Sequence, residues 1–271
     1  MSKDTNEDSD SFLIEKNNAI VTDVKYLNQV STLDAIKEYK LTSFKVLEIE
    51  KGFKILDVGC GTGDDVKTMA KDVGNEGKVV GIDVNEEAIK TAKEKFQDKN
   101  LLFINQNVEQ IPFDDNYFDA VRSDRVFMHL INPIKVFDEM IRVTKPKGKI
   151  MVLDVDWDSL LVHSDNKKVT RAVLRSWSDS IHNSWMGRQL YPLFKERKLL
   201  DIKLDTKPLF LTDLKTADYA WSLKKTLEKV VQSGEITKQE AEDWWNELEQ
   251  KDKEGLFVAF AVGMSVVGTK N

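Results

Sequence analysis

Between Phe53 and Asp64 an apolar run, Phe53-Lys54-Ile55-Leu56-Asp57-Val58, breaks into three glycines at alternating positions, Gly59-Cys60-Gly61-Thr62-Gly63. A helical pattern begins at once with Asp64. Glycine lets a backbone take positive φ and come close to a ligand, and a helix start presents oriented N–H groups. In an open α/β sheet such a strand-turn-helix junction lies at the carboxyl ends of the strands, where ligands bind.

The pattern continues. Lys78 to Ile82 reads as a second strand, and Asn85 as the cap of a helix carrying Ala88, Ile89, Ala92 and Phe96. Leu101 to Ile104 and Phe118 to Val121 read as strands, Pro133 to Val143 as a helix, and Lys149 to Leu153 as a further strand. Strands separated by helices predict a parallel sheet covered on both faces. Beyond it, residues 165–197 read as helical, Leu200 to Leu204 as a strand, 214–232 and 236–250 as two amphipathic helices about Ser233-Gly234, and Leu256 to Gly268 as the final strand. The expected organisation is a disordered tail over 1–18 and a helical cap over 19–50, with a helix from Thr32 to Ile49. One α/β domain follows over 51–271, with helical insertions near 157–200 and 213–252 that serve as a lid.

Composition narrows the function. The 271 residues are 41% hydrophobic and 32% charged, as in an ordinary globular chain. A net charge of −6 gives no general attraction to a phosphate backbone, so no nucleic-acid partner is expected. The one cysteine, Cys60, excludes an intramolecular disulfide framework. No run approaches the ~20 apolar residues of a membrane span, and the acidic start is no secretory signal. These features point to the cytoplasm. No zinc-hydrolase, C-x-x-C, nucleophile-elbow or phosphate-loop motif is present, and no metal is expected.

Two further elements join the glycine turn. Asp83 ends the second strand about twenty residues past Gly63, where a carboxylate can accept two ribose hydroxyls. The turn Asn105-Gln106-Asn107-Val108 follows the third strand; a side-chain amide there can bond an adenine edge while Val84 and Val108 pack on the ring. Together these describe a slot for an adenosine. The nicotinamide fingerprint G-x-G-x-x-G does not fit, because Asp64 stands where its third glycine belongs and would repel a pyrophosphate.

The run Leu56 to Gly63 resembles the first motif of class I S-adenosylmethionine-dependent methyltransferases. The likeness extends through Asp83, Asn107-Val108 with Ile111-Pro112-Phe113, Phe118 to Val121, and Glu139 to Gly148, and covers Phe53 to Asp154. It is nearest to the branch of ubiquinone/menaquinone-biosynthesis and small-molecule methyltransferases. The resemblance implies a Rossmann-like, seven-stranded, mostly parallel sheet with the last strand antiparallel, and S-adenosyl-L-methionine as cofactor. By it, Gly59, Cys60, Gly61, Thr62 and Gly63 line the methionine part, with Asp57 in the same motif. Asp83 takes the ribose, Asn107 and Val108 the adenine, and Ser123 the methyl end. The family more often has Asp at position 107. Tyr26 is a further candidate for the cofactor carboxylate.

On the acceptor side, His129 is either a general base or a capping histidine. Arg125 either binds a substrate anion or pairs with a carboxylate. Asp154 and Asp156 end the fifth strand, for substrate contact or for structure. Trp185 and Arg188 belong to a stretch that is either a lid or, for Trp185 and Leu190, core. Of Trp244 and Trp245, one belongs to the core or both to a dimer interface. The expected activity is methyl transfer to a small-molecule acceptor, at carbon or oxygen rather than nitrogen, by a monomer or homodimer. The open alternatives are an RNA or protein acceptor, or a cofactor-binding module without catalysis.

Overall fold

The computed structural model describes Lys40 and residues 43–271 in full, and residues 13–16 and 19–22 by their backbone. A seven-stranded sheet forms the centre. In chain order its strands are β3 (Lys54–Val58), β4 (Lys78–Asp83), β5 (Leu101–Asn105), β6 (Phe118–Asp124), β7 (Thr144–Val162), β8 (Leu200–Leu211) and β9 (Ala259–Thr269). In space they run β5-β4-β3-β6-β7-β9-β8. All are parallel except β9, which pairs antiparallel with both β7 and β8. The fold is the Rossmann-like arrangement expected, with the late strand reversed.

Each crossover helix carries its own start signal. Helix α1 (Asp64–Val73) opens with Asp64 and Asp65, which favour the positive end of the helix dipole. The side chain of Asn85 caps α2 (Glu86–Lys95) by accepting from Glu87 N and Ala88 N at 3.1 and 3.2 Å. Helix α3 (Pro133–Val143) starts on a proline, which lacks the N–H that would go unpaired there. Val66, Met69 and Val73 of α1 and Ile89 and Ala92 of α2 bury one face of the sheet. Phe137 and Met140 of α3, with Leu190 and Phe194 of α5 (Met186–Glu196), bury the other.

The C-terminal half departs from the sequence reading in three respects. Residues 157–200 are not one insertion: α4 (Lys167–Asp179) joins a helical group, whereas α5 lies on the sheet against β7 and β9 as the crossover to β8. Residues 213–252 hold three helices rather than two, α6 (Leu214–Trp221), α7 (Leu223–Gln232) and α8 (Lys238–Lys253). Ser222 at φ 45° ends one helix and begins the next. Strand β8 also runs on to Leu211. Trp244 is core, its Nε1 donating to Thr170 Oγ1 at 2.9 Å, while Trp245 bonds Glu249.

The N-terminal reading changes as well. Leu13–Lys16 (β1), within the stretch expected to be disordered, pairs antiparallel with Ala19–Thr22 (β2), expected to begin a helical cap. Of the helix expected over 32–49, the described part is helical at Lys40 and at residues 43–45 and turns at 46–48. No helix among the described residues is long and apolar enough to cross a membrane.

One charged group sits in the middle of this sheet. Arg122, in β6, is 0% exposed. Its Nη1 donates to Asp57 Oδ1 in β3 and to Asp65 Oδ2 in α1, and its Nη2 to Asp124 Oδ2, each at 3.0 Å. Lys40 adds a second cation, 3.0 Å from Asp65 Oδ1. Burial opposes the guanidinium charge, but Asp57, Asp65 and Asp124 raise its pKa above the ordinary arginine value. Burial likewise works to raise Asp65, yet Lys40 and Arg122 pull it down to about 2. For Asp57 burial prevails over Arg122 and its pKa rises to about 7.

Removing one partner from such a cluster costs more than the cluster contributes, because it strands the other charges without water. Arg122→Met is expected to lose about 3–5 kcal/mol in urea unfolding at pH 7. With the cation gone, the three carboxylates hold their protons more tightly when folded than when unfolded. The difference from the unaltered protein should therefore narrow as pH falls toward the ordinary carboxylate range. A difference that is constant with pH would exclude this account.

Candidate active site

The glycine turn sits at the carboxyl end of β3, the middle strand of the parallel set. Gly59 N and Cys60 N both donate to Ile82 O, at 2.8 and 3.1 Å, and tie the turn to β4. Gly59, Gly61 and Gly63 have φ of 75°, 52° and 82°, values that a side chain makes costly. Space excludes a side chain independently at two of them. A Cβ on Gly59 would lie 2.2 Å from a Val126 methyl, and one on Gly63 would lie 2.6 Å from the Phe103 ring. The thiol of Cys60 fills the room left by Gly81, whose Cβ would meet Sγ at 2.7 Å. Burial pushes that thiol well above its ordinary pKa, so it is a packing group. Thr62 Oγ1 donates to Asp64 Oδ2 at 2.9 Å, and Lys95 neutralises Asp64 at 2.6 Å.

Asp83 ends β4 beside this turn. Its Oδ2 accepts from Gly61 N and its Oδ1 from Asn85 N, both at 2.8 Å. Burial raises its pKa against the pull of these N–H groups. The N–H of Val84 pulls in the same direction, and of a carboxylate's roughly four lone-pair sites about one stays open to a ligand. Asn105 then straps β5 to the end of β4, its Nδ2 donating to Asp83 O and Val84 O at 3.1 and 2.9 Å. Beyond it Asn107 is exposed, with its Oδ1 accepting from Glu109 N at 2.9 Å to close a turn. Val84 is half-buried and Val108 buried. These groups gather along one edge over β3, β4 and β5, and their arrangement fits an adenosine with a spare acceptor toward its ribose.

Two of the expected cofactor residues are turned to other work. Asp57 is held by Arg122 within the sheet. Ser123 is fully buried, and its hydroxyl donates to Val58 O at 3.0 Å, so it bridges two strands. Tyr26 lies outside the described residues.

The second half of the edge follows β6 and β7. His129 ends a one-turn 3-10 helix, Phe127–His129, against which β2 packs. Three groups hold this turn. Asp154, 0% exposed, accepts from Met128 N at 3.0 Å, and burial pushes its pKa up to about 7. Asn183 Nδ2 donates to Phe127 O and Leu130 O at 2.9 and 2.6 Å, and Trp157 Nε1 points at Met128 Sδ. The imidazole itself is half-buried, and its Nδ1 is buried with no partner among the described residues. Burial, then the charges of Arg125 and His182, lower its pKa to about 4, so it is neutral near pH 7.

The remaining acceptor-side candidates are largely paired. Arg125 lies 3.4 Å from Asp124 Oδ1. Arg188 grips Asp156 with Nε and Nη2, and its guanidinium stacks over Trp185 at 4.7 Å. Leu190 is core as expected, but Trp185 is 49% exposed, because α5 turns Leu190 toward the sheet and leaves Trp185 outside at the helix start. Sequence reasoning missed Arg122 and Asn183, and read Asn105 only as part of the turn after β5. The signal for Arg122 was a charged residue inside an otherwise apolar strand; Asn183, between α4 and α5, offered none.

Comparison with known proteins gives a consistent result. Residues 49–202, more than half of the chain, match the Methyltransf_31 family, described as a methyltransferase domain. An uncharacterised 37.1 kDa protein in transposon TN4556 of Streptomyces fradiae is 30% identical over 232 residues, 85% of this chain and 67% of that protein. The ubiquinone/menaquinone biosynthesis C-methyltransferase UbiE of Burkholderia cenocepacia is 32% identical over 146 residues, 52% of this chain. The demethylmenaquinone methyltransferase of Bacillus cereus is 32% identical over 138 residues. These two matches span 60% and 58% of the relatives' own lengths. Among solved structures, phosphoethanolamine N-methyltransferase 2 of Haemonchus contortus in complex with S-adenosyl-L-methionine superposes with a TM-score of 0.57 at 16% identity. That superposition covers 91% of this chain and 56% of that one. A SAM-dependent methyltransferase from Aquifex aeolicus gives 0.51 at 18% identity, covering 89% and 98%. With its glycine turn, Asp83 and sheet order, the chain belongs to the methyltransferase-domain family and is a class I S-adenosylmethionine-dependent methyltransferase.

Proposed function

We propose that this enzyme methylates a small-molecule acceptor at carbon or oxygen, in the cytoplasm. In this reading the cofactor lies along the carboxyl ends of β3, β4 and β5, and the acceptor over those of β6 and β7. The observation that carries it is Asp83, whose carboxylate is fixed at the end of β4 by the N–H groups of Gly61 and Asn85, beside the glycine turn. Three things support the choice of acceptor. Two of the three curated relatives named above are a ubiquinone/menaquinone biosynthesis C-methyltransferase and a demethylmenaquinone methyltransferase, the net charge of −6 does not favour a polyanion, and the imidazole at the acceptor edge is neutral.

S-adenosylmethionine, when bound, supplies a methyl carbon carried on a sulfonium leaving group. The chain's contribution is to hold, align and dry the partners. Asp83 accepts the ribose hydroxyls, Val84 and Val108 cover the adenine, and Asn107 lies at its edge. Gly59, Cys60, Gly61, Thr62 and Gly63 let the backbone approach the methionine part. Asp57 acts indirectly, by keeping β3 and α1 in place through Arg122. Alignment of this kind can contribute roughly 7–11 kcal/mol at best. His129, held neutral, can take a proton from the acceptor. Its low basicity suits a proton that becomes acidic only as the new bond forms. Asp156 and Arg188, already paired, meet an acceptor as a pre-set ion pair beside Trp185.

The reading is tested by incubating the full chain with S-adenosylmethionine and panels of phenols and quinols, and measuring S-adenosylhomocysteine release. Release with RNA or protein alone would reassign the acceptor, and no release with any class would leave a binding module. Asp83→Ala removes hydrogen bonds to a charged group, each about 1.5–3 kcal/mol. Calorimetry should show both S-adenosylmethionine and S-adenosylhomocysteine bound more weakly, by about a hundredfold. His129→Ala should lower kcat by about a hundredfold and leave cofactor affinity unchanged. In the unaltered enzyme kcat should fall on the acid side only as pH drops toward about 4, because an imidazolium cannot accept a proton. An acid limb that stays unchanged in His129→Ala would remove His129 from the reaction.

A further inference from the structure

We propose that the edge strand β8 pairs antiparallel with β8 of a second copy of this chain, about a twofold axis through Leu204. Two seven-stranded sheets then become one continuous sheet. The strand is the last in the sheet and, among the described residues, has a strand neighbour, β9, on one side only. Residues 203–206 are exposed, and Leu204 is 45% exposed in a strand position where an unpartnered backbone edge is an association hazard.

The sequence of the strand is complementary to itself about Leu204. Reversed against its own copy, Leu204 meets Leu204, Lys203 meets Asp205, Ile202 meets Thr206, and Asp201 meets Lys207. Opposite charges face each other along one side, and such cross-strand pairs each contribute roughly 0.2–1 kcal/mol. The register is specified by repulsion as well. An axis moved to Lys203 sets Lys203 against itself and Asp201 against Asp205. An axis moved to Asp205 sets Asp205 against itself and Lys203 against Lys207. Only the Leu204 axis of the three is free of like-charge contacts.

The two irregularities of the strand frame this window. The pairing with β9 shifts register between Leu200 and Lys203, where Asp201 has φ 48°, and Pro208 lacks an N–H at the other end. The axis brings these ends together, Leu200 against Pro208, and leaves Ile202 to Thr206 as an uninterrupted ladder. Within one copy Lys207 reaches back to Asp205 at 2.5 Å; the partner's Asp201 offers it an alternative carboxylate, freeing Asp205 for Lys203. Because β8 is parallel to β3–β7, antiparallel joining sends the carboxyl edges of the two sheets in opposite directions. Neither copy covers the other's site.

The test is the mass of the full chain in solution by sedimentation and light scattering. A species of twice 31.0 kDa is expected. Lys203→Asp alone and Asp205→Lys alone should each weaken the dimer at least tenfold, and the double variant Lys203→Asp/Asp205→Lys should restore it. Circular dichroism verifies that each variant is folded. A monomer at every concentration, a dimer indifferent to either single change, or a double variant as weak as the singles would overturn the proposal. Hydrogen exchange on the unaltered protein reads the same surface without mutation. Amides within residues 202–206 should gain protection as concentration rises, and protection independent of concentration would also overturn it.

Discussion

A full positive charge with no access to water can persist only where carboxylates surround it, and Arg122 imposes that condition at the centre of the sheet. The groups that satisfy it come from three places: Asp57 from β3, Asp65 from the first turn of α1, and Asp124 from the end of β6. The glycine turn is the piece of chain between the first two of these. Its ends are therefore pinned by the same guanidinium, one on the strand and one on the helix. Lys40 extends the clamp to the segment before β3. The geometry of the glycine turn rests on a charge buried behind it.

From that clamp the carboxyl edge divides into two halves of different character. Over β3, β4 and β5 the fastening is by backbone and short side chains: Ile82 O receives two N–H groups, Asp83 receives two more, and Asn105 closes the next gap. Over β6 and β7 it is by polar side chains acting on one short turn, with buried Asp154 and half-buried Asn183 gripping residues 127–130 on either side of His129. The first half presents acceptors and small residues, which suit a nucleoside with many polar edges. The second presents aromatic and ion-paired surface, and it is there that β2 comes to lie.

The local structure over β3, β4 and β5 was largely legible in the sequence because local rules govern it. Alternating glycines require positive φ, a polar cap at Asn85 starts a helix, and an acidic residue at a strand end meets the preceding turn through the fixed spacing of adjacent parallel strands. Legibility failed where the deciding contact was between distant residues. Ser123 looked directed at a ligand from its place in the chain, but the neighbouring strand offered Val58 O first. Arg122 gave no local hint of its three partners. The break at Ser222 depends on a left-handed residue that propensity does not favour, and Trp185 is exposed because the face of α5 is chosen by Leu190 and Phe194. The strands Leu13–Lys16 and Ala19–Thr22 pair with each other where the sequence suggested a disordered tail and the start of a helical cap.

The threading of β9 between β7 and β8 has a consequence for how the molecule is made. Strand β8 leaves the ribosome first, yet its only sheet neighbour among the described residues is a strand translated after α6, α7 and α8. A nascent chain can pair β3 through β7 as they emerge, but it must hold β8 and three helices in waiting until β9 arrives. That interval leaves the flank of β7 unpaired, and this end of the sheet can close only once β9 has been made.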